Sequence, residues 1–293
     1  MHSDTYQLIT DRIIAALEAG TVPWRKPWAS AGAPRNYDGR PYRGINAFLL
    51  ALANFELPVY LTYRRAAELG GHVKKGEHAI PVIFWKFDRQ QDPAAVDDTQ
   101  TRTLVMARTY HVFNVAQTEG IPPEKLPTLP SFPAEPIVAA EAIQASMPHR
   151  PNLNRGAHYA CYNMLSDTVN VPYPERFPKP EEYYATLFHE LGHSTGHPSR
   201  LNRKELTAGA HFSTVMYSRE ELTAEMTAAF LCAEAGITPA TIENAASYVA
   251  GWLPVLKQDS RAVIVAAAQA QRAADFILNR APQPHTTVTD TAG

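Results

Sequence analysis

The chain has 293 residues, which is enough for two domains of ordinary size, and its 45% hydrophobic and 19% charged residues are globular values that exclude a disordered chain. Two cysteines exclude a disulfide framework and a cysteine-rich zinc site. The net charge of −2 conceals an uneven distribution of charge along the chain. Residues 13–87 hold 10 Lys/Arg against 5 Asp/Glu, whereas residues 131–293 hold 12 Lys/Arg against 16 Asp/Glu. We therefore expect the two halves to have different partners.

The sequence shows no targeting or membrane segment. Its start has neither a basic region nor the apolar stretch of a signal peptide. The longest apolar run, Ala262 to Ala268, is too short to cross a bilayer. A cytoplasmic location without a membrane partner is therefore expected.

The first predicted element is an amphipathic helix over residues 4–19. Ile9, Ile13 and Leu17 recur at a spacing of four, which places them on one face, and Gly20 is expected to end the helix.

A proline-rich segment, Val22-Pro-Trp-Arg-Lys-Pro-Trp28, follows and favours an extended loop. Trp24 and Trp28 have two possible roles. They either anchor the loop on the domain, or stack on bases while Arg25 and Lys26 meet phosphates.

Aromatic and basic residues continue to alternate through a predicted strand at residues 80–87. A polar hairpin loop is expected at 88–103 and further strands from Leu104 to Val115. This composition is typical of a surface for single-stranded nucleic acid, and the alternative is a small α+β domain whose aromatic residues form the core. The candidate DNA contacts are Trp24, Arg25, Lys26, Trp28, Arg35, Asn36, Tyr42, Arg43, Asn46, Arg64, Lys74, Lys75, Trp85 and Lys86.

Proline content separates the chain into parts. Six prolines in residues 120–136 mark a linker or strap. The predicted division is a first domain at 1–120, a linker at 121–136, a second domain at 137–280 and a disordered tail at 281–293.

The second half contains His189-Glu-Leu-Gly-His193 in a segment that is predicted to be helical. Residues four apart on a helix share one face, so His189 and His193 can bind a single metal ion. Glu190 lies beside them and is the predicted general base. The alternative is a solvated helix that carries two histidines by chance.

A third ligand has to come from elsewhere, because catalytic zinc usually has three protein ligands. The metzincin spacing would place a third histidine at residue 199, where the chain has Ser199. His197 is a second choice, since it lies at the expected end of the helix.

The preferred third ligand is Glu225. Ser218 and Glu221 have the spacing of a capping box, which gives Glu221 a structural role at a helix start. Glu225 follows one turn later, and Ala224 and Ala228 beside it would allow close approach of another helix. A glutamate on a following helix is the gluzincin arrangement.

The predicted chemistry is metal-assisted hydrolysis of a peptide bond. A divalent ion, Zn²⁺ in the first instance and Mn²⁺ as an option, would activate water and polarise the carbonyl, while Glu190 takes up the proton. Tyr217 and His211 are candidate donors to the transition state.

These motifs together resemble the plasmid-encoded ArdC antirestriction family and the N-terminal part of TraC-type primases. The resemblance rests on motifs in both halves: Ile9-Thr-Asp-Arg-Ile-Ile14, Pro23-Trp-Arg-Lys-Pro-Trp28, Tyr42-Arg-Gly-Ile-Asn46, Val73-Lys-Lys-Gly-Glu77, Val112-Phe-Asn-Val-Ala-Gln117, Tyr183-Tyr184, His189 to His197, Arg200-Leu201 and Glu220-Glu-Leu-Thr-Ala-Glu225.

The resemblance implies an α+β fold with a small single-stranded-DNA-binding domain before a zincin-like, gluzincin-type metallopeptidase domain. It implies the metal ligands His189, His193 and Glu225 and the catalytic residue Glu190. The peptidase half is also similar to Spartan-type proteases. The implied function is protection of single-stranded DNA that enters by conjugation from host restriction.

Three functional hypotheses remain open. The chain is a DNA-tethered protease whose substrate is a DNA-associated or restriction-system protein, or it coats single-stranded DNA and the metal is structural. The third hypothesis is a general peptidase whose first domain binds protein substrates.

Overall fold

The computed structural model describes residues 5–25, 33–53, 55–91, 101–126, 136–207, 214–237 and 245–281. Its α-helices are α1 (Thr5–Glu18), α2 (Ile45–Leu52), α3 (Tyr63–Glu68), α4 (Pro136–Ser146), α5 (Pro180–Ser194), α6 (Lys204–Thr207), α7 (Thr214–Ala235), α8 (Ala245–Gln258) and α9 (Ala262–Ile277). Its strands are β1 (Arg35–Asn36), β2 (Val59–Leu61), β3 (His72–Val73), β4 (Ile80–Gln91), β5 (Thr101–Asn114), β6 (Thr118–Glu119), β7 (Asn152–Arg155), β8 (Cys161–Asn163) and β9 (Thr168–Val171).

The predicted N-terminal helix is confirmed as α1. Ile9, Ile13 and Leu17 are buried along one face, as the spacing of four requires. Gly20 follows with φ of +77°, a left-handed conformation that suits glycine and ends the helix.

The first half is built on a four-stranded sheet with the order β1-β2-β5-β4. The pair β4–β5 is an antiparallel hairpin in which Ile80 is opposite Val112 and Gln91 is opposite Thr101. Strand pairing therefore continues further than predicted, because residues 88–91 and 101–103 of the expected polar loop belong to the two strands. Residues 92–100 lie outside the described part of the chain.

The first part of the predicted linker packs on the first half. The Nζ atom of Lys125 donates to the backbone oxygen of Leu69 at 3.2 Å, and Ile121 packs against the cluster around Leu69. Residues 127–135 are not among the described residues.

The second half combines helices with a three-stranded sheet of order β7-β9-β8, in which β7 is parallel and β8 antiparallel to β9. Helix α5 packs against this sheet on one side and against α7 on the other. At the α5–α7 contact, a Cβ atom added to Gly192 would lie 3.3 Å from the Cα atom of Ala224. Ala224, one of the small residues predicted to permit close approach of another helix, therefore does so. The mixture of helices and strands in both halves confirms the α+β class.

One hydrophobic core joins the two halves. It contains Ile9 of α1 and Ile277 of α9. The ring centroid of Trp24 lies 5.2 Å from that of Trp252, and Phe48 lies 4.8 Å from Phe230. The two sequence-defined domains are thus packed together, which fixes one relative to the other.

The last two helices of the described chain are α8 and α9. Residues 282–293, which include most of the predicted tail, lie outside the description. No helix in the described ranges has the length and apolar character needed to span a bilayer.

Candidate metal centre

Helix α5 presents both histidines of the motif on one face. It begins at Pro180, whose fixed φ suits the first helical position, with Glu181 and Glu182 favourable at the positive end of the helix dipole. The Nε2 atoms of His189 and His193 are 3.1 Å apart. Two nitrogens bound tetrahedrally to one zinc ion would be separated by roughly 3.4 Å, so the pair is close to a chelating arrangement.

The third group at this position is Glu221 of α7. Its Oε2 atom lies 3.5 Å from Nε2 of His189, and its Oε1 atom lies 3.5 Å from Nε2 of His193. The ligand atoms of these three residues all lie within 4.8 Å of one another. A carboxylate from a neighbouring helix therefore completes a three-residue site.

Glu225, the predicted third ligand, lies on the other side of the His189 ring. Its Oε1 atom is 3.7 Å from Nδ1 of that ring, not from Nε2. Helix α7 begins at Thr214, so Ser218 is inside the helix and the predicted capping box does not form. Without that capping role Glu221 is available, and the candidate metal cluster of the described residues contains Glu221 in the place where Glu225 was predicted.

The site has the properties of a place for a cation. The Oε2 atom of Glu221 is buried and has no hydrogen-bond partner within the described chain. Burial raises the pKa of the Glu221 carboxyl, but the two neighbouring imidazoles outweigh it and the pKa is lowered overall. A buried, ionised carboxylate between two imidazole nitrogens matches the donors that Zn²⁺ and Mn²⁺ accept.

Glu220, next to the ligand, orients the second histidine. Its Oε1 atom lies 3.1 Å from Nδ1 of His193, so the proton is held on Nδ1 and Nε2 is left for a metal. The buried guanidinium of Arg203 binds both carboxylate oxygens of Glu220, with Nε 2.9 Å from Oε2. Burial alone would raise the pKa of Glu220, but Arg203 lowers it.

Arg203 also holds the end of the metal-bearing helix. It donates to the backbone oxygen of Gly192 at 2.9 Å and to the hydroxyl of Thr195. One guanidinium therefore joins the C-terminal turn of α5 to α7, and it fixes His193 through Glu220.

We expect Arg203→Met to lower the free energy of unfolding by about 3–5 kcal/mol, because Glu220 would keep a buried charge without a partner. Metal affinity should fall by about 10–100-fold, as is typical when a partner that orients a ligand is lost. Urea denaturation and metal titration measure the two effects.

The double variant Arg203→Met with Glu220→Met separates these effects. It should regain most of the stability, because no unpaired charge remains, while metal affinity stays low because His193 has lost its partner. Full recovery of metal affinity would contradict the orienting role.

His197, the second choice for the third ligand, makes a hydrogen bond outside the candidate metal cluster. Nδ1 of His197 lies 2.7 Å from the hydroxyl of Ser199. In the described part of the chain the metal-type cluster contains His189, His193 and Glu221 but not His197. The α-helix ends at Ser194, so His197 no longer follows the helical spacing.

Arg200 ties the end of α5 to the neighbouring sheet. Its buried guanidinium donates to the backbone oxygen of Ser194 at 2.7 Å, to the hydroxyl of Tyr162 on β8 at 3.1 Å and to the carboxylate of Asp167. The hydrogen bond from Arg200 lowers the pKa of Asp167. This network sets the position of β8 relative to the metal helix.

We expect Asp167→Asn to destabilise the protein by about 3 kcal/mol at pH 7, because Arg200 would keep a buried charge. The folded-state pKa of Asp167 is depressed, so its contribution is fully present above the unfolded value of about 3.9 and is lost as the pH falls through the lower folded value. The difference between wild type and variant should therefore shrink below pH ~4.

Urea denaturation at several pH values measures this difference, with Glu175→Gln, at an exposed residue, as the control. A gap that stays constant down to pH ~2 would exclude titration of Asp167 as its source.

Two of the predicted DNA contacts are core residues. Trp24 is 1% exposed and lies against Phe48 and Trp252. The buried amide of Asn46 donates to the backbone oxygen of Ile83 at 2.7 Å and accepts from its N–H at 2.8 Å. Neither side chain offers surface to a nucleic acid, so both are removed from the set of contacts. Composition could not distinguish them from exposed residues.

Three further candidates are engaged within the fold. Tyr42 packs edge-on against Tyr60, and burial raises its pKa. Trp85 packs on Tyr6 with ring centroids 6.1 Å apart. Arg43 forms an ion pair with Asp275 of α9, so this cation joins the two halves.

The remaining candidates differ in exposure. Arg64 has 71% of its side chain exposed although it pairs with Glu68, and Lys74 and Lys75 are exposed. Arg35 and Asn36 are half-buried. Tyr63, which was not among the predicted contacts, is 64% exposed and adjacent to Arg64.

Other predicted residues fall outside the description: Lys26, Trp28, His211 and the side chains of Arg25 and Lys86. The second candidate donor, Tyr217, is half-exposed on α7. It precedes Glu221 by four residues and therefore shares its face of the helix.

Comparison with known proteins identifies both halves. A family model described as a zincin-like metallopeptidase matches residues 139–269, and one described as the N-terminal domain of the anti-restriction factor ArdC matches residues 3–113. The metal-free crystal structure of the antirestriction protein ArdC from plasmid R388 has 35% identity and a TM-score of 0.78, and the match covers 96% of this chain and 100% of that one. The chain belongs to the ArdC family of antirestriction proteins.

Other relatives extend this result. The Mn(II)-bound structure of R388 ArdC matches with 36% identity and a TM-score of 0.76, over 94% of this chain and 98% of that one. The uncharacterized protein y4eC of Sinorhizobium fredii is 35% identical over 94% of this chain and 92% of its own length. DNA primase TraC of Escherichia coli is 36% identical over 93% of this chain, which spans only 27% of that protein.

Proposed function

We propose that this ArdC-family chain is a metal-dependent peptidase that acts at single-stranded DNA and protects DNA entering by conjugation from host restriction. The observation that carries the proposal is the convergence of His189, His193 and Glu221 beside Glu190 in the zincin-like half. A glutamate next to a three-residue metal site is the arrangement that metal-assisted peptide hydrolysis requires.

Each residue has a distinct task in this proposal. His189, His193 and Glu221 hold one divalent ion, Zn²⁺ or Mn²⁺, which when bound supplies a Lewis acid for the scissile carbonyl and for water. Glu190, 7% exposed, accepts the proton of the attacking water on its carboxylate and delivers it to the leaving amine. Glu220 lies 3.1 Å from Nδ1 of His193 and orients that ring, and Glu225 lies 3.7 Å from Nδ1 of His189.

The DNA-binding part of the proposal rests on an exposed group in the first half. We call Tyr63, Arg64, Lys74 and Lys75 the α3 surface, because Tyr63 and Arg64 begin α3 and this helix packs against β3, which precedes the lysines. An exposed aromatic ring suits base stacking and the cations suit phosphates. This surface takes the place of the buried Trp24 and Asn46.

The experiment compares one protein substrate in two states: bound to single-stranded DNA and free. We expect fluorescence anisotropy to show single-stranded DNA binding that weakens with salt, and cleavage that requires the metal and is faster for the DNA-bound substrate. Lys75→Glu should reduce both the affinity for DNA and that advantage, while Arg272→Glu, an exposed cation on α9, should not. Equal cleavage of free and bound substrate would favour a general peptidase.

One observation favours the second candidate, a DNA-coating protein with a structural metal. The side chains of His189 and His193 are each only 12% exposed, which is typical of a closed site. This candidate predicts that removing the metal lowers the melting temperature strongly and that no substrate is cleaved, with DNA binding intact.

A further inference from the structure

A second concave site lies on the opposite side of α5 from the metal residues. It is a cleft of about 710 Å³, lined by β7, the end of α4 and Leu191. Leu191 lies two positions from each of His189 and His193, and a turn of 100° per residue places it on the opposite face of the helix. The cleft is therefore separate from the metal centre.

One wall of the cleft is a sheet edge that has no partner strand among the described residues. Strand β7 is at the end of the three-stranded sheet. The N–H of Asn152 donates to Asp167 at 2.8 Å and that of Gly156 donates to Val171 at 2.9 Å, so even-numbered residues face β9. By alternation, the backbone groups of Leu153 and Arg155 face away from the sheet, and both residues line the cleft.

The rim of the cleft is basic. His149, Arg150 and Arg155 line it, and none of the described residues in the lining is acidic. Arg150 is exposed and has no ion-pair partner among the residues that the structure describes. Arg155 donates to the hydroxyl of Tyr183 at 3.2 Å, and this hydrogen bond holds the charged guanidinium at the cleft.

The floor of the cleft is apolar and consists of Met147, Val169 and Leu191. An open edge, a basic rim and an apolar floor match three properties of an extended peptide: backbone hydrogen-bonding groups, acidic side chains and apolar side chains that alternate with them. A nucleic acid would match the rim but could not pair with backbone N–H and C=O groups.

We propose that this cleft binds an extended protein segment with alternating acidic and apolar residues, which adds to β7 as a fourth strand. The site would hold a partner or substrate protein at a point remote from the metal centre. The proposal does not depend on catalysis or on DNA binding, since none of its residues belongs to the metal centre or the α3 surface.

The test uses the full chain with Glu190→Gln and without metal, so that no cleavage can occur. The probe is a fluorescent, end-blocked octapeptide in which Val and Glu alternate, and one control peptide has Lys in place of Glu. A second control is N-methylated at alternate residues, which removes the edge hydrogen bonds but keeps the charges.

We expect saturable binding of the acidic peptide alone. Arg150→Glu should weaken it about fivefold to tenfold, and Arg272→Glu, a matched exposed cation on α9, should change it less than about twofold. Amide hydrogen exchange should slow at Leu153 and Arg155 in the complex, while Asn154, which already faces β9, should change little.

Several results would overturn the proposal. These are no binding of the acidic peptide, equal binding of the lysine or N-methylated peptide, or unchanged exchange at Leu153 and Arg155. If Arg150→Glu weakened binding of a single-stranded oligonucleotide and left peptide binding unchanged, the cleft would be a nucleic-acid site instead.

Discussion

Glu221→Gln should lower the affinity for a divalent metal by more than about 100-fold, because loss of a ligand exceeds the 10–100-fold cost of losing a partner that only orients a ligand. The substitution keeps the shape of the side chain and removes the charge between the two Nε2 atoms, each 3.5 Å from a Glu221 oxygen. Isothermal titration with Zn²⁺ and Mn²⁺ measures the change directly.

Glu225→Gln is the matched control, since it is the same substitution one helical turn later on α7. Its carboxylate lies 3.7 Å from Nδ1 of His189, the nitrogen that faces away from the proposed ion. We expect a loss of about tenfold or less, the lower limit for a partner that orients a ligand, because Nδ1 of His189 makes no hydrogen bond. Loss of metal in the Glu225 variant with full occupancy in the Glu221 variant would restore the ligand set predicted from the sequence.

Glu190→Gln should reduce turnover by about 10²–10⁴-fold, the usual contribution of a positioned general base. The amide has nearly the volume of the carboxylate but cannot accept the proton of water. Glu190 is not one of the three converging ligands, so metal affinity should change little. The fall should appear in kcat with little change in KM, because the proton moves in the transition state.

Steady-state cleavage of a DNA-bound protein and metal titration, both on the Glu190 variant, decide this prediction. Full turnover in the variant would remove Glu190 from the chemistry. Antirestriction that survives the loss of turnover would show that the family's role needs binding and not cleavage. Comparing turnover with antirestriction in the same variant therefore shows whether the biological role requires cleavage.

The shared core has a consequence for how the two halves work together. Arg43 next to Gly44 binds Asp275, and the N–H of Gly44 donates to Gln271 of α9 at 3.1 Å. With the tryptophan contact between Trp24 and Trp252, these bonds hold the first half against the helices that support α7. DNA bound to the first half would therefore lie at a fixed position relative to the metal centre.

Local spacing was enough to determine the pair of histidines. His189 and His193 share a face because the helix repeats every 3.6 residues, and Pro180 marks its start regardless of the rest of the chain. The motifs around them also sufficed to assign the family and the α+β class, because these depend on residues that are close in sequence.

The choice between Glu221 and Glu225 could be made only by the tertiary structure. The two residues are four apart, so they lie on the same face of α7 and either could reach a metal. Which of the two lies closer to the Nε2 atoms depends on the position along α7 at which this helix contacts α5. The close approach of Gly192 and Ala224 marks that position. That contact joins residues more than thirty positions apart, and no local pattern encodes it.

The same reason explains the revised DNA contacts. Composition showed that the first half is rich in tryptophan, tyrosine and cations, but a buried ring and an exposed ring have the same letter in the sequence. Packing against Trp252, far along the chain, buries Trp24, whereas Tyr63 stays exposed at the start of α3. The sequence by itself determined the helix that carries the two histidines and the family, and long-range packing decided which carboxylate lies beside their Nε2 atoms and which aromatic rings are exposed.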